Sequence, residues 1–86
     1  MSQVPIQISL HAREQMLERG VEEYEVIKAI QEGDREPARK KRVMYRKNFQ
    51  FNSVWRQRRY RIKQVVPVVA KESNRLIVVT VYAFYF

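Results

Sequence analysis

The 86-residue chain is 45% hydrophobic, carries a formal net charge of +8 at pH 7 and contains no cysteine. These values predict one small folded domain, and they exclude a disordered chain, a disulfide scaffold and a thiolate metal site. No apolar run is long enough to cross a bilayer and no secretion signal is evident, so we expect a cytoplasmic protein without membrane contact.

Two helices are predicted in the first part of the chain. Ser9 is a favoured N-cap residue, and apolar residues recur at helical spacing over residues 10–19, before Gly20 ends the helix. A second helix is expected over residues 22–32, with Gly33 as its C-cap. The two glycines therefore delimit a helical hairpin.

Strands are predicted on either side of this hairpin. Residues 1–9 alternate weakly, which is typical of an edge strand or an extended lead-in. Residues 34–42 form a charged connector in which neither a helix nor a strand is expected. Beyond it the apolar residues recur with a period of two. Three strands are expected at residues 43–51, 55–70 and 76–86, separated by turns at 52–53 and 71–74.

The order of these elements predicts an α+β fold, in which two N-terminal helices pack on one face of an antiparallel sheet of three to four strands. If Ala70 lies opposite Arg75, opposed residues of the last hairpin share a face, unless the turn has an odd length. One face then carries Arg59, Arg61, Lys63, Thr80 and Tyr82. The other face, expected under the helices, carries Tyr60, Ile62, Val66, Val68, Ile77, Val79, Val81 and Ala83.

Charge is divided unevenly along the chain. Residues 1–34 have a net charge of −4, and residues 35–86 have a net charge of +12. This asymmetry indicates a region that meets an anion, and cations beside aromatic rings suit a phosphate backbone with stacked bases. We therefore expect RNA or DNA as the partner. An acidic protein partner, and a basic surface that serves solubility alone, are the alternatives.

His11 is the only histidine, and it stands at the start of the first predicted helix. Imidazole can accept and donate protons near neutrality. With a cation and a hydroxyl group it would suffice for RNA cleavage without a metal: a base for the 2′-hydroxyl, a cation for the phosphorane and an acid for the leaving group. The alternative is a structural histidine bonded to a backbone carbonyl. With one histidine and no cysteine, neither a metal site nor a cofactor is expected.

Three segments carry a resemblance to a known family. They are Ile8-Ser9-Leu10-His11-Ala12, Met16-Leu17-Glu18-Arg19-Gly20-Val21 and Val78-Val79-Thr80-Val81-Tyr82. Together they resemble the domain of unknown function family 4258, whose members begin with Ser-x-His-Ala, continue to an Arg-Gly-Ile/Val turn and end on a Val-x-Thr-Val-Tyr strand. The layout of that family is similar to that of RelE-like ribonuclease toxins, a group that includes barnase-like folds.

The resemblance implies an RNA-binding, metal-independent endoribonuclease of RelE-like type, the toxin of a toxin–antitoxin pair. His11 would be the general acid or base, and the other groups would hold, neutralise and orient the phosphate. The predicted catalytic residues are His11, Lys63, Thr80 and Tyr82. The predicted nucleic-acid-binding residues are Arg19, Arg46, Arg59, Arg61 and Lys63.

Two features depart from the family pattern. Residues 39–42 and 55–59 are unusually basic, and the tail at residues 84–86 is unusually aromatic. Such a tail suits burial in a protein partner, for which an antitoxin is the expectation, or in a homodimer. Two alternative functions stay open: a non-catalytic nucleic-acid-binding module, and a basic protein-interaction domain that docks an acidic partner.

Overall fold

The computed structural model describes residues 4–86 as two helices, one short 3-10 helix and five strands. In chain order they are β1 (Ile6–Ile8), α1 (Leu10–Arg19), α2 (Glu23–Glu32), β2 (Asp34–Pro37), the 3-10 helix (Arg39–Lys41), β3 (Val43–Trp55), β4 (Arg58–Glu72) and β5 (Arg75–Tyr85). The strands form one sheet in the order β1-β5-β4-β3-β2, and both helices pack on one side of it, the helix face. The predicted α+β class is confirmed.

The sheet is mixed, which corrects the predicted antiparallel sheet of three to four strands. β1 runs parallel to β5, with Ile6 opposite Leu76, and the other neighbouring strands are antiparallel. A parallel pair between distant segments leaves no local sequence signal, because several intervening elements separate its strands. Of the strand-like segment predicted at residues 1–9, Ile6–Ile8 form a strand; residues 1–3 lie outside the described residues.

The segment predicted as a charged connector, residues 34–42, is partly a strand. Asp34–Pro37 pair with β3 at the edge of the sheet, where the missing N–H of proline removes no bond from a central ladder. The 3-10 helix follows, and its residues Lys40 and Lys41 have positive φ angles of 60° and 59°. The prediction of no strand and no helix over this segment is therefore wrong, because pairing with β3 overrides its charged composition.

Both helices begin and end close to their predicted bounds. Ser9 caps α1 by accepting a hydrogen bond of 3.1 Å from the backbone N–H three residues later. Gly20 ends α1 with a φ of 68°, and a Cβ at this position would come within 2.6 Å of the Trp55 ring, so glycine is required. α2 begins with a capping box, in which Glu25 Oε1 accepts from Glu22 N at 2.9 Å.

β3 and β4 extend further than predicted before they join. The predicted turn at residues 52–53 is wrong, because β3 continues through it with a bulge at which Asn52 has a φ of 44°. The chain turns instead at Arg56 and Gln57, whose φ angles of 50° and 71° match a two-residue hairpin turn. Continued pairing with β4 therefore overrides the local turn propensity of asparagine and serine.

The register of the hairpin between β4 and β5 also differs from the predicted one. Ala70 lies opposite Ile77 rather than Arg75. A bulge at Val79 then shifts the register by one further residue. Since side chains alternate between faces, a shift of one residue moves every later residue of β5 to the other face. The two-face grouping predicted for this hairpin is therefore wrong beyond the bulge.

The hydrophobic core lies between the two helices and the helix face. Valine predominates in it, and a short β-branched side chain packs well on a pleated sheet while allowing helices to approach closely. The core residues are Ala12, Met16, Val21, Val26, Ala29, Val65, Val69, Val78 and Val81. Both helices are therefore packed against the central strands β4 and β5.

A buried ion pair joins the helical hairpin to the middle of the sheet. Lys63 Nζ lies 3.0 Å from Glu25 Oε1, and the two side chains are only 7% and 5% exposed. Lys63 also donates to the Gly20 carbonyl at 2.8 Å, and its ammonium lies 5.2 Å from the centroid of the Phe51 ring. Because the Glu25 carboxylate also caps α2, this pair fixes the turn between the helices over β4.

Lys63→Met should lower the free energy of unfolding by about 3–5 kcal/mol, because the Glu25 carboxylate would stay buried without its cation. Glu25→Gln should also destabilise the protein. The loss of unfolding free energy in Lys63→Met/Glu25→Gln should be smaller than the sum of the two single-variant losses by about 0.5–3 kcal/mol. Urea denaturation measures these values. Lys28→Met is the matched control, because its pair with Glu32 is exposed, and a change below about 0.5 kcal/mol is expected. If the two single-variant losses simply added up in the double variant, the coupling between Lys63 and Glu25 would be contradicted.

Tyr85 holds the end of β5 against α1. Its hydroxyl donates to the Arg19 carbonyl at 2.6 Å, and its ring stacks on that of Trp55 with centroids 5.1 Å apart. The rings of Phe51 and Tyr60 complete the cluster, at centroid distances of 5.2 Å and 5.7 Å from Tyr85. The C-terminal turn of α1 is thereby anchored to aromatic rings from three strands.

Burial, with a smaller contribution from the Glu25 carboxylate, raises the pKa of Tyr85 to about 12. An unfolded tyrosine ionises near pH ~10, so between about pH 10 and 12 the unfolded state loses a proton that the folded state keeps. The free energy of unfolding should fall over that range. In Tyr85→Phe, the decrease in the free energy of unfolding that comes from Tyr85 ionisation should disappear. The same substitution should lower the free energy of unfolding by about 1 kcal/mol at neutral pH, because a hydrogen bond is lost. Guanidinium denaturation of the wild type and of Tyr85→Phe at about pH 8 and 11 measures the free energy of unfolding. An equal decrease between the two pH values in both proteins would contradict the role given to Tyr85.

Candidate functional site

The side of the sheet opposite the helices, the open face, bears a cleft. The cleft has a volume of about 670 Å³ and lies between the open face and the loop at residues 37–42. Its floor consists of Met44, Val68, Thr80 and Tyr82, and its wall carries the cations Arg39, Lys40 and Arg42. A partly apolar floor beside a basic wall suits a ligand that combines flat rings with a phosphate backbone.

The basic wall is held by a tight loop. Ala38 N donates to the Arg42 carbonyl at 2.9 Å, and Arg42 N donates to the Arg39 carbonyl at 3.2 Å. Lys40 and Lys41 occupy the left-handed region, which residues other than glycine adopt rarely. The run of cations noted in the sequence is therefore an ordered turn at the cleft, and such strained turns are frequent at functional sites.

The bulge at Val79 decides which residues of β5 reach the cleft. Beyond it, Thr80 lies opposite Val68 and Tyr82 opposite Val66, and these four residues face away from the helices. The prediction that Val66 and Val68 lie under the helices is therefore wrong, because the bulge exchanges the two faces of β5 relative to β4. Thr80 and Tyr82 share a face, as predicted, and that face is the open one.

α1 covers the part of β5 that β1 leaves unpaired. β1 pairs only with Leu76–Val78, so the backbone of Val81 lies on a free edge of the sheet. Gln15 accepts from Val81 N at 2.9 Å, and Arg19 Nη1 donates to the Val81 carbonyl at 2.6 Å. The Arg19 guanidinium lies 5.4 Å from the centroid of the Tyr82 ring. Because a guanidinium has five N–H donors and Val81 takes one, Arg19 can also contact a phosphate.

His11 lies on the same side of α1 as Gln15 and Arg19, one turn before Gln15 and two turns before Arg19. Its side chain is exposed. Ser9 N, just before the helix, donates to the Val78 carbonyl at 3.0 Å. His11 therefore lies along β5 between the contacts of Ser9 and Gln15, beside the bulge. Of these residues, Arg19 reaches the edge of the open face, where its guanidinium lies beside the Tyr82 ring.

A family match spans the candidate site residues of α1 and β5. Residues 8–83 match the family model described as a domain of unknown function (DUF4258). The chain belongs to this family. The match includes His11, Arg19, Thr80 and Tyr82, so the resemblance read from the three sequence segments is confirmed. No curated protein and no solved structure matches the chain significantly.

Lys63, one of the residues to which the DUF4258 pattern points, lies elsewhere. The predicted grouping of Lys63 with Thr80 and Tyr82 is wrong, because the bulge in β5 places Lys63 opposite Tyr85, on the helix face. Lys63 is 6% exposed and bound to Glu25. A buried, paired ammonium cannot reach a phosphate in the cleft, so we assign Lys63 a structural role.

Arg59 and Arg61 also lie far from the cleft, although both are exposed. Arg61 stands seven residues from Val68 along β4, which corresponds to about 23 Å of strand, and Arg59 is further away. Both belong to the tip of the β3–β4 hairpin, which also carries Arg56 and Arg58. The cations predicted to act together therefore divide between two separate surfaces.

Arg46 lies on the open face beside the cleft, in the row of the sheet that contains Val66 and Tyr82. Its guanidinium donates to Gln64 Oε1 at 2.8 Å and to Glu36 Oε1 at 3.0 Å. The side chain is still 36% exposed. Arg46 therefore joins β2 to the central strands and also contributes positive charge to the open face.

Two parts of the site were not assigned from the sequence. Gln15 looks like a solvated helix residue until the unpaired edge of β5 is known. The run of cations in the loop at residues 37–42 is visible in the sequence. The neighbouring residues, however, do not indicate that this loop lies over the sheet.

Within residues 4–86 no group of three or more His, Asp or Glu side chains is arranged to hold a metal ion. Over the same residues, neither helix has the length and apolar character that a membrane span requires.

Proposed function

We propose that this chain is an RNA-binding endoribonuclease whose own side chains perform the chemistry, without a metal ion. The observation that carries the proposal is a cleft with a basic wall in which Thr80 and Tyr82 form part of the floor, with the Arg19 guanidinium beside the Tyr82 ring. His11 lies two turns before Arg19 on the same side of α1. These residues include a proton acceptor, a cation and two hydroxyl groups, which are the groups that metal-free RNA cleavage needs. The cations of the wall would bind the flanking phosphates.

Cleavage would proceed by attack of a 2′-hydroxyl on the adjacent phosphorus. The His11 imidazole takes the 2′ proton as the new oxygen–phosphorus bond forms. The bond from phosphorus to the 5′ oxygen breaks, and that oxygen takes a proton from the Tyr82 hydroxyl. The products are a 2′,3′-cyclic phosphate and a 5′-hydroxyl. His11 then returns its proton through solvent to the Tyr82 phenolate, which restores the enzyme.

Arg19 would stabilise the phosphorane, on which negative charge develops during the reaction. Its guanidinium can donate two parallel hydrogen bonds to the non-bridging oxygens. The bond to the Val81 carbonyl fixes Arg19 before RNA binds, so little reorganisation is needed during the reaction. Thr80, two residues before Tyr82 on the open face, would orient the phosphate through its hydroxyl.

The similarity of the family's layout to RelE-like ribonucleases extends the proposal to the toxin of a toxin–antitoxin pair, by fold-level analogy. The charge of the chain supports a particular kind of antitoxin. A segment that covers the basic wall must bring acidic side chains, since leaving three cations unpaired in an interface would be costly.

His11→Ala should lower the rate of RNA cleavage by about 10²–10⁴-fold and leave RNA affinity nearly unchanged, because the cations carry binding. Cleavage of a labelled single-stranded RNA in excess chelator measures the rate, and the product ends should carry cyclic phosphate. Glu14→Ala, an exposed position on α1, is the matched control and should keep the wild-type rate. Induced expression of the wild type, but not of His11→Ala, should arrest growth.

Three outcomes would change this assignment. RNA binding without cleavage by the wild type would leave a non-catalytic nucleic-acid-binding module. Undiminished cleavage by His11→Ala would keep the enzyme but move the proton transfer to Tyr82 or an arginine. Cleavage that appears only after a divalent ion is added would overturn the metal-independent mechanism.

RNA affinity should fall steeply with salt, because residues 35–61 carry eleven Lys or Arg and one acid. Four phosphate contacts, by the three wall cations and Arg19, predict a log–log slope of about −2.8 on single strands. The double variant Arg39→Ala/Arg42→Ala should reduce the magnitude of this salt slope by about 1.4, because two phosphate contacts are lost. Lys28→Ala, on the helix side, should leave it unchanged. Fluorescence anisotropy at several salt concentrations measures the slope, and no binding even at low salt would favour an acidic protein partner.

A further inference from the structure

Three exposed aromatic side chains lie along the end of β5, and the first of them forms part of the cleft floor. Tyr82, Phe84 and Phe86 are 43%, 49% and 57% exposed, while Tyr85 between the last two packs toward the helices. These three alternating residues are named the aromatic ladder. Leaving such rings in water forgoes hydrophobic stabilisation, and contiguous apolar surface of this kind marks a binding site.

The pairing of β5 with β4 keeps the aromatic ladder in register on the open face. Phe84 lies opposite Gln64, and Phe86 N donates to the Ile62 carbonyl at 3.1 Å. Consecutive rings are two residues apart, which corresponds to about 6.8 Å along a strand. That is twice the ~3.4 Å rise of each strand in a nucleic-acid duplex. The spacing therefore suits bases that are spread apart, as in an extended single strand.

Amide side chains lie beside the aromatic ladder on the neighbouring strands. Gln64, opposite Phe84, donates through Nε2 to Asn48 Oδ1 at 2.8 Å. Gln50 lies opposite Ile62 and is exposed. Amides can bond to the edges of unpaired bases whose flat faces are stacked on aromatic rings, and sheet faces that bind single-stranded RNA combine these two contacts.

Positive charge lies at both ends of the aromatic ladder. At the end near Tyr82 stand the cations of the cleft wall. The other end meets the tip of the β3–β4 hairpin with its exposed cations, where Arg61 N donates to the Phe86 carbonyl at 3.1 Å. A strand that stacked its bases on the ladder would therefore have its phosphates neutralised before and after the stacked segment.

We propose that the aromatic ladder is a platform for the unpaired bases of a single-stranded RNA, which runs from the cleft toward the tip of the β3–β4 hairpin. The assignment of RNA rests on the proposed function; the requirement for a single strand rests on the spacing of the rings. This inference links the two separate basic surfaces, because the ladder spans the distance between the cleft and the hairpin tip.

Charge favours a nucleic acid over a second copy of this chain as the occupant. A symmetric dimer through the aromatic ladder would bring the same basic residues of two molecules together, each with a net charge of +8. A phosphate backbone supplies the opposite charge and the flat bases at the same time.

The test compares wild type with Phe84→Leu/Phe86→Leu, which removes two flat rings but keeps apolar side chains. The probes are a labelled oligouridine of about 12 nucleotides and an RNA duplex of the same length. We expect a rise of roughly 5- to 150-fold in Kd for the oligouridine per stacked ring, equivalent to about 1–3 kcal/mol per base. The salt slope and the duplex affinity should stay unchanged.

Two controls isolate the stacking contribution. Tyr24→Leu removes an aromatic ring that is 63% exposed on α2, outside the ladder, and should bind oligouridine as the wild type does. Phe84→Tyr/Phe86→Tyr keeps flat rings and should also bind normally. The single variant Phe84→Leu replaces the double one if the latter fails to give a cooperative melting curve.

The outcomes separate this inference from the proposed function. Ladder-dependent oligouridine binding without cleavage by the wild type would support the platform while the endoribonuclease proposal fails. Cleavage with an unchanged KM in the double leucine variant would overturn the platform and leave the enzyme. Equal losses of single-strand and duplex affinity would overturn it as well. The platform would also be overturned if size-exclusion chromatography showed a dimer that depends on the ladder while Phe84→Leu/Phe86→Leu kept the wild-type RNA affinity.

Discussion

The buried ion pair between Lys63 and Glu25 is the constraint on which the rest of the structure depends. Taking two charges out of water costs several kcal/mol per ion, and this is offset only if the remaining donors and acceptors also find partners. Here they do, because the ammonium donates to the Gly20 carbonyl and the carboxylate caps α2. These contacts join Gly20 and Glu25 of the helical hairpin to Lys63 of β4. We interpret the pair as the device that sets the position of both helices.

The position of α1 in turn creates the candidate site. With the hairpin fixed over β4, α1 runs beside the part of β5 that β1 leaves unpaired, and its side chains take over the pairing of Val81. Arg19 therefore has two roles, since it protects a free sheet edge and carries a charge beside Tyr82. His11 has no such structural duty in its contacts within the described residues. It lies on the same side of α1 as Arg19, and its side chain is exposed.

No helix within residues 4–86 packs on the open face, because a chain of this size builds only two layers. One face of the sheet is buried under the helices, and the other stays available to solvent or a partner. The cations of the loop at residues 37–42 and of the hairpin tip oppose association of this face with copies of itself, because like charges repel. The same charges create affinity for an anion. The charge that opposes self-association is therefore also the charge that the proposed RNA binding uses.

The sequence by itself determined the helical hairpin, the uneven charge and the family. Ser9 and Gly20 act on backbone groups only a few residues away, so the bounds of α1 could be read from local chemistry. Membership of the family followed from short motifs, and these motifs contain His11, Thr80 and Tyr82. These features depend on interactions within a few residues of each other.

Only the tertiary structure decided which of those residues meet. A single extra residue at Val79 exchanges the faces of β5, which moves Thr80 and Tyr82 away from Lys63 and toward the loop at residues 37–42. A bulge leaves no reliable mark in an alternating apolar pattern, because alternation resumes on both sides of it. The burial of Lys63 depends on Glu25, which is 38 residues away in sequence. Periodicity and propensity carry no information at that separation, so only the packed fold could show that Lys63 is structural.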